Sequence, residues 1–483
     1  MRIKIVLHYA AMVITIVGFF MLLPLICSLF YREPDLFAFI ISTIVTSGFG
    51  ILLWRLTPVG RELLTIRESL AIITISWVLV AAFGALPYVI AGTFSNYLDA
   101  YFEAMSGFTA TGATVINAIE SQPHGILLWR SLTQWLTGMG IITLFVALFP
   151  VMGVGAVNLV KSEMPTLISE KVTSRVRDIA KSVWMIYVGF SILEVISLYI
   201  AGLPIYDALT VTFATMATGG FTPTQQSIMT YHSWSVEIII MLFMIIAAVN
   251  FRLFYSLFRK QKFRNFFVDP EFRLYLALLI GGSLLVTLDL ITNSGLSLVD
   301  AIRYGSFNTV SIMTTTGFNN ADFNVWPAFS RAALIVLMII GGSTGSTAGG
   351  IKITRVILLF KNIYRQLLQT INPRAVITLR VGNSPVQEEV INEASSMSIL
   401  YLTTLVMAFL ALSAIGLDKI TALSSVTACM GTVGPGLGLV GPMANYLWIP
   451  PLGKIILIMC MLLGRLELFT VLALFVPSFW KWR

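Results

Sequence analysis

Charge is what this sequence has least of. Asp, Glu, Lys and Arg together make up 11% of 483 residues, where ordinary globular chains carry about 25%. So little charge cannot cover a water-facing surface of this size, which excludes a cytosolic enzyme, a secreted domain and a disordered regulator. Cysteine is scarce as well. Cys27, Cys429 and Cys460 lie in apolar runs without CxxC or CxxxC spacing, so neither a disulfide framework nor a zinc site is expected. His8, His124 and His232 stand apart from one another, and no Ser/His/Asp or Cys/His set can be assembled for catalysis. No enzymatic activity is expected. What the chain has in excess is apolar surface, with 57% hydrophobic residues and a mean hydropathy of +0.87.

That balance describes an all-α polytopic membrane protein. A span needs about 20 mostly apolar residues. Ten such runs occur, near 6–30, 36–55, 69–92, 126–150, 181–203, 235–258, 272–293, 330–368, 396–417 and 452–476, the eighth of them interrupted. The first follows Arg2 and Lys4, as a signal peptide would. It is longer than 20 residues, however, and ends at Phe30-Tyr31-Arg32 with no small-x-small cleavage site, so it is read as retained. Of the 31 Lys and Arg residues, 24 fall in alternate loops on one side. Six others (Arg32, Arg130, Arg303, Arg331, Lys419 and Lys454) fall on the opposite side or its flanks, and Arg465 lies within a span. The positive-inside bias predicts that both termini are cytoplasmic, in keeping with an even number of spans. The formal charge of +8 is therefore read as loop topology, not as a nucleic-acid surface. The same loops also suit an acidic cytoplasmic partner or anionic membrane lipid.

Four of the spans are followed by a segment too short to cross, closing on Thr-Gly or Val-Gly: residues 102–112, 209–219, 307–317 and 424–434. Their terminal glycines are 107, 98 and 117 residues apart, and each segment is followed by another long apolar run. The unit is span, half-helix, glycine strand, span. Two leading spans in residues 1–60 precede four such repeats, at 61–165, 166–265, 266–385 and 386–483. Asp99, Asp207, Asp300 and Asp418 precede the half-helices, where a carboxylate suits a helix N-terminus. The partly negative C-terminal ends then point toward the membrane middle. Non-helical backbone at that depth survives only inside protein or beside a watery cavity. Four glycine strands around one pseudo-fourfold axis would form a ring of carbonyls able to hold a dehydrated cation. The candidate filter residues are Ala110, Thr111 and Gly112; Ala217, Thr218 and Gly219; Thr315, Thr316 and Gly317; and Thr432, Val433 and Gly434. Thr432-Val433-Gly434-Pro435-Gly436 follows the TVGxG spelling of potassium-channel filters.

This pattern resembles the Trk/Ktr/HKT superfamily of potassium transporters, and most closely the TrkH family, the membrane subunits of bacterial Trk uptake systems. The resemblance covers nearly the whole chain. It implies potassium uptake, a homodimer in the bacterial inner membrane with one pore per protomer, and a cytoplasmic nucleotide-binding regulatory partner of the TrkA type. Ala113, where an aromatic residue is often met, and Pro435, in place of a channel filter's Tyr, depart from the pattern and bear on ion preference.

The eighth span breaks at Gly341, Gly342, Ser343, Thr344, Gly345, Ser346, Thr347, Ala348, Gly349 and Gly350. Five glycines in ten residues would each cost about 1 kcal/mol within a helix, so the helix is expected to unwind there. Gly345 and Gly350 have the spacing of a phosphate-binding loop, but Ile351 stands where the lysine belongs, so no nucleotide is expected to bind this chain. Counting from the filter glycines puts Gly342 level with Gly138, Ala248 and Gly464, on the cytoplasmic side of the filter. The loop is a candidate gate. Arg465, at mid-span, is expected to face the interior and to bond the loop, as the matching arginine does in the resembled family. Glu194, Asp289 and Asn250 are further intramembrane polar residues. The alternative function is a secondary transporter coupling potassium to protons or sodium through broken helices.

Overall fold

A computed structural model describes residues 1–60, 64–138, 140, 176–260, 263–375, 377–382 and 384–481. Among the described residues, six helices are long and apolar enough to cross a membrane: Ile3–Tyr31, Leu36–Leu56, Ile66–Ile90, Ala180–Ile200, Pro270–Ser294 and Glu388–Ala414. Two more spans are bent pairs, Trp234–Ala247 with Phe251–Leu257 at 92° and Pro451–Leu466 with Leu468–Phe475 at 115°. The eighth is broken into Ala328–Ile340 and Ile353–Ile371 by the glycine-rich loop. The fourth begins as the helix His124–Gly138, and residues 139 and 141–150 of the expected run lie outside the described residues. So do Arg61, Lys161, Lys171 and Arg175 and the expected boundaries at 60/61 and 165/166.

The half-helices are Tyr97–Phe108, Ile205–Ala217, Leu298–Met313 and Lys419–Met430. Their starts differ from expectation in three cases. Asp418 caps its helix by accepting from the Thr421 N–H at 3.1 Å. Asp99, Asp207 and Asp300 lie one turn inside, and the caps ahead of the first and third are Asn96 and Ser297. A carboxylate in the first turn still complements the positive helix end.

Buried side chains form two large clusters. One joins the leading spans with repeats 1 and 4, and the other joins repeats 2 and 3. Apolar side chains such as Phe37, Ile44, Leu193, Leu284 and Met407 are turned outward, as a lipid-facing wall requires. A two-residue hairpin pairs Arg380–Val381 with Ser384–Pro385. It lies between the helices Ile353–Ile371 and Glu388–Ala414, where repeat 3 meets repeat 4, and leaves the all-helical class unchanged.

Candidate functional site: a ring of glycine strands and the loop beneath it

After each half-helix the backbone makes the same move. Ala110, Thr218, Thr315 and Thr432 take φ of 51°, 54°, 57° and 53°. Two residues on, Gly112, Gly220, Gly317 and Gly434 take φ of 83°, 78°, 80° and 96°. The residue between them donates its N–H to the half-helix: Thr111 to Ser106, Gly219 to Ala214, Thr316 to Ser311 and Val433 to Ala428, at 2.8–2.9 Å. A non-glycine residue in the left-handed region costs about 1–2 kcal/mol. Four at matching positions are strain of the kind found at functional sites.

The repetition corrects the register of repeat 2. The expected triplet there was Ala217, Thr218 and Gly219, but Ala217 is the last residue of its helix. By conformation the strand is Thr218, Gly219 and Gly220. Two adjacent glycines fit the spelling equally well, and only one has positive φ.

The strands close on each other in a cycle. A side-chain carbon built on Gly112 would strike the Gly219 carbonyl oxygen, and one on Gly220 would strike that of Thr316. From Gly317 the collision is with the Val433 carbonyl, and from Gly434 it is with that of Thr111, at 2.7 Å. Each glycine therefore lets the next repeat's carbonyl approach, and the fourth contact returns to the first strand. All four half-helix C-termini converge on this ring, where their negative ends favour a cation. The residues after the ring (Thr114, Asn319 and Tyr446 among them) line a cavity that all four positive-φ glycines also touch.

The loop lies at the other end of the strands. The Gly349 N–H donates to Thr315 Oγ1 at 2.8 Å, and a Cβ on Gly349 would lie 2.5 Å from the Gly431 carbonyl and strike Thr432 Oγ1. The loop thus presses on the first residues of strands 3 and 4. It is tied to repeat 2 by Ser343 N–H to the Ala248 carbonyl (3.0 Å), Thr347 Oγ1 to the Ala247 carbonyl (3.0 Å) and Phe251 N–H to the Gly345 carbonyl (3.0 Å). Glu271 accepts from the Thr344 N–H at 2.6 Å. Gly341, Gly345 and Gly350 hold φ between 72° and 78°, which glycine adopts freely. Arg465 Nη1 donates to the Thr347 carbonyl at 2.8 Å, and Nη2 reaches the carbonyls of Thr137 and of Gly138, the latter at 2.9 Å. One guanidinium therefore joins the loop to repeats 1 and 4. Gly345, Gly349, Gly350, Lys352, Arg465 and Glu467 line a second cavity on this side. The strands run between the two cavities.

The small residues expected at one depth all sit at tight passages. Gly138 packs on Ala217, Gly342 on Ala248, and Gly464 on Met430. Asn250 Oδ1 accepts from the Arg252 N–H at 3.0 Å, capping the helix after the bend. Asp289 accepts from the Ser330 N–H and hydroxyl, while Glu194 is wholly buried beside Thr215. His8 meets the Thr57 carbonyl, and His124 meets Glu33. Among the described residues no group of His, Cys, Asp or Glu could hold a metal ion.

Sequence reasoning missed the ties between repeats. Arg130, counted as a flank cation, is 1% exposed and pairs with Glu103 at 2.8 Å. It also donates to the Thr222 carbonyl and stacks 4.1 Å from the Phe221 ring centroid, across the boundary to repeat 2. Arg303 pairs with Glu237 at 2.6 Å, linking repeats 3 and 2. Lys454 pairs with Asp99 at 2.5 Å, linking repeats 4 and 1. These cations are internal braces, not topology markers. Opposite-charge residues placed on paired repeats were the available signal, but nothing in the sequence pairs residues 66 or 355 positions apart.

These features define a polytopic helical membrane protein whose four repeats converge on a shared ring of backbone carbonyls. The family model TrkH, described as a cation transport protein, matches residues 35–482, and the chain belongs to that family. The Trk system potassium uptake protein TrkH of Halomonas elongata is 35% identical over 483 residues, all of both chains. Its counterpart in Escherichia coli K12 is 36% identical over 464 residues, covering 95% of this chain and 96% of the other. The crystal structure of the potassium transporter TrkH from Vibrio parahaemolyticus superposes with a TM-score of 0.90 at 32% identity, covering all of both chains.

Proposed function

We propose that this chain takes up potassium across the bacterial inner membrane through a carbonyl-lined selectivity filter, gated by the loop at residues 341–350. The cyclic approach of four glycine strands, each admitting the next repeat's carbonyl, is the observation that carries this reading. A potassium ion sheds its water against the oxygens of residues 110–112, 218–220, 315–317 and 432–434, with the four half-helix dipoles adding favourable potential. A membrane potential of 100 mV supplies about 2.3 kcal/mol per charge for inward movement. In the closed state the loop occupies the cytoplasmic mouth under Thr315 and Thr432, held by Arg465, whose charge also repels entering cations. Potassium is the transported ion, and no nucleotide binds this chain.

The relatives' description as part of a Trk system supports a TrkA-like cytoplasmic nucleotide-binding subunit as the partner that moves the loop. A homodimer embedded in lipid, with both termini cytoplasmic, completes the proposal. Convergence of all four half-helices by their C-termini favours a pore over an inverted-repeat coupled transporter, in which half-helices approach a site from both sides. Single-channel recording of purified protein in a planar bilayer tests it. Ohmic unitary currents support the pore, and obligatory coupling to protons or sodium without unitary events would refute it.

A further inference from the structure

Gln134, on the helix His124–Gly138, is fully buried and uses both ends of its carboxamide on the strand of repeat 2. Nε2 donates to the Gly219 carbonyl at 2.7 Å, and Oε1 accepts from the Phe221 N–H at 3.2 Å. In the other strands the middle residue carries a buried β-branched side chain: Thr111, Thr316 or Val433. The Thr111 and Thr316 hydroxyls bond those of Thr109 and Thr314 at 2.7 and 2.9 Å. Repeat 2 has Gly219 instead, and a Cβ there would lie 2.6 Å from Gln134 Oε1 and 2.8 Å from Nε2. Gly219 lacks positive φ, so its backbone does not demand glycine. The volume of Gln134 does.

We infer that Gln134 is the positioning residue of the second strand and thereby sets ion preference, an inference that rests on the selectivity-filter reading above. Two successive glycines give repeat 2 the loosest strand of the four. The carboxamide supplies the lateral support that a β-branched side chain gives elsewhere. It occupies one lone pair of the Gly219 carbonyl and leaves the second free for an ion. Without it that oxygen is no longer held at a fixed place in the ring, and discrimination by number and field of oxygens weakens. An amide suits both contacts at once. A carboxylate would set oxygen against oxygen at Gly219.

The test is the reversal potential of the full-length protein in planar bilayers between potassium and sodium chloride. Gln134→Leu is expected to lower potassium preference about threefold to tenfold, as loss of one hydrogen bond would. If that variant fails to assemble, Gln134→Met carries the same expectation. Gly219→Thr alone should abolish selective conduction, because the new side chain meets Gln134. Gly219→Thr with Gln134→Ala should restore preference to within about twofold, since the strand then resembles the other three. An unchanged reversal potential in Gln134→Leu, or equal damage from Gly219→Thr in both backgrounds, overturns the inference. Gly220→Ala separates the two levels. If it changes selectivity while Gln134 variants do not, this inference alone falls, and if neither does, the filter reading falls with it.

Discussion

Replacing Arg465 with Met keeps an unbranched apolar stem and removes the charge and donors. Of the guanidinium's contacts, the one to the Thr347 carbonyl at 2.8 Å joins it to the loop, while those to Thr137 and Gly138 anchor the arginine itself. A hydrogen bond from a charged donor contributes about 1.5–3 kcal/mol. At 1.4 kcal/mol per decade, loss of the Thr347 bond shifts the balance between closed and open loop by about 10-fold to 150-fold. Basal potassium flux into proteoliposomes lacking any partner should rise by that factor until opening saturates. Arg465→Lys separates contact from charge, because an ammonium retains the cation without bridging loop and anchor together. An intermediate flux in Arg465→Lys is expected. Unchanged flux in Arg465→Met, at equal protein incorporation, would refute the reasoning. Full closure by Arg465→Lys would show that charge alone holds the gate.

Three other perturbations follow from the same geometry. Thr315→Val removes the hydroxyl that accepts the Gly349 N–H while preserving shape, and should raise partner-free flux about threefold to tenfold. Gly220→Ala forces a side chain onto a φ of 78° and into the Thr316 carbonyl. Potassium over sodium preference, read from reversal potentials, should fall at least about tenfold. Glu103→Gln leaves the Arg130 guanidinium buried without its counter-charge, a loss of about 3–5 kcal/mol. Thermal unfolding in detergent should register it as a marked drop in midpoint, with Glu103→Leu plus Arg130→Met recovering most of the loss.

The long apolar runs that the structure describes and the repeated glycine segments were legible because each repeats at a length set by the membrane, and periodic features survive without tertiary information. The unwinding at residues 341–350 was equally legible, since five glycines oppose a helix wherever they fall. The register of repeat 2 was not read correctly, although a signal existed: Gly220-Phe221 aligns with Gly317-Phe318, whereas matching on Thr-Gly chose Gly219. Charge counting places Arg130, Arg303 and Lys454 on the opposite side or its flanks because it ignores depth. Only folding brings Glu103, Glu237 and Asp99 against them. Gln134 was invisible for the same reason. A single glutamine in an apolar run has no periodicity, and its partners lie 85 and 87 residues away.

The glycine-rich break belongs to one quarter of the polypeptide, and its neighbours on either flank differ from it in both side chains and shape. A tetramer of identical chains has to move four copies of any closing element together. On the proposed gating, a single latch leaning across from one quadrant would suffice to occlude the conduit. The proposed effector would then need purchase on only that quadrant, leaving the other three to stay rigid and keep their oxygens in place throughout each opening.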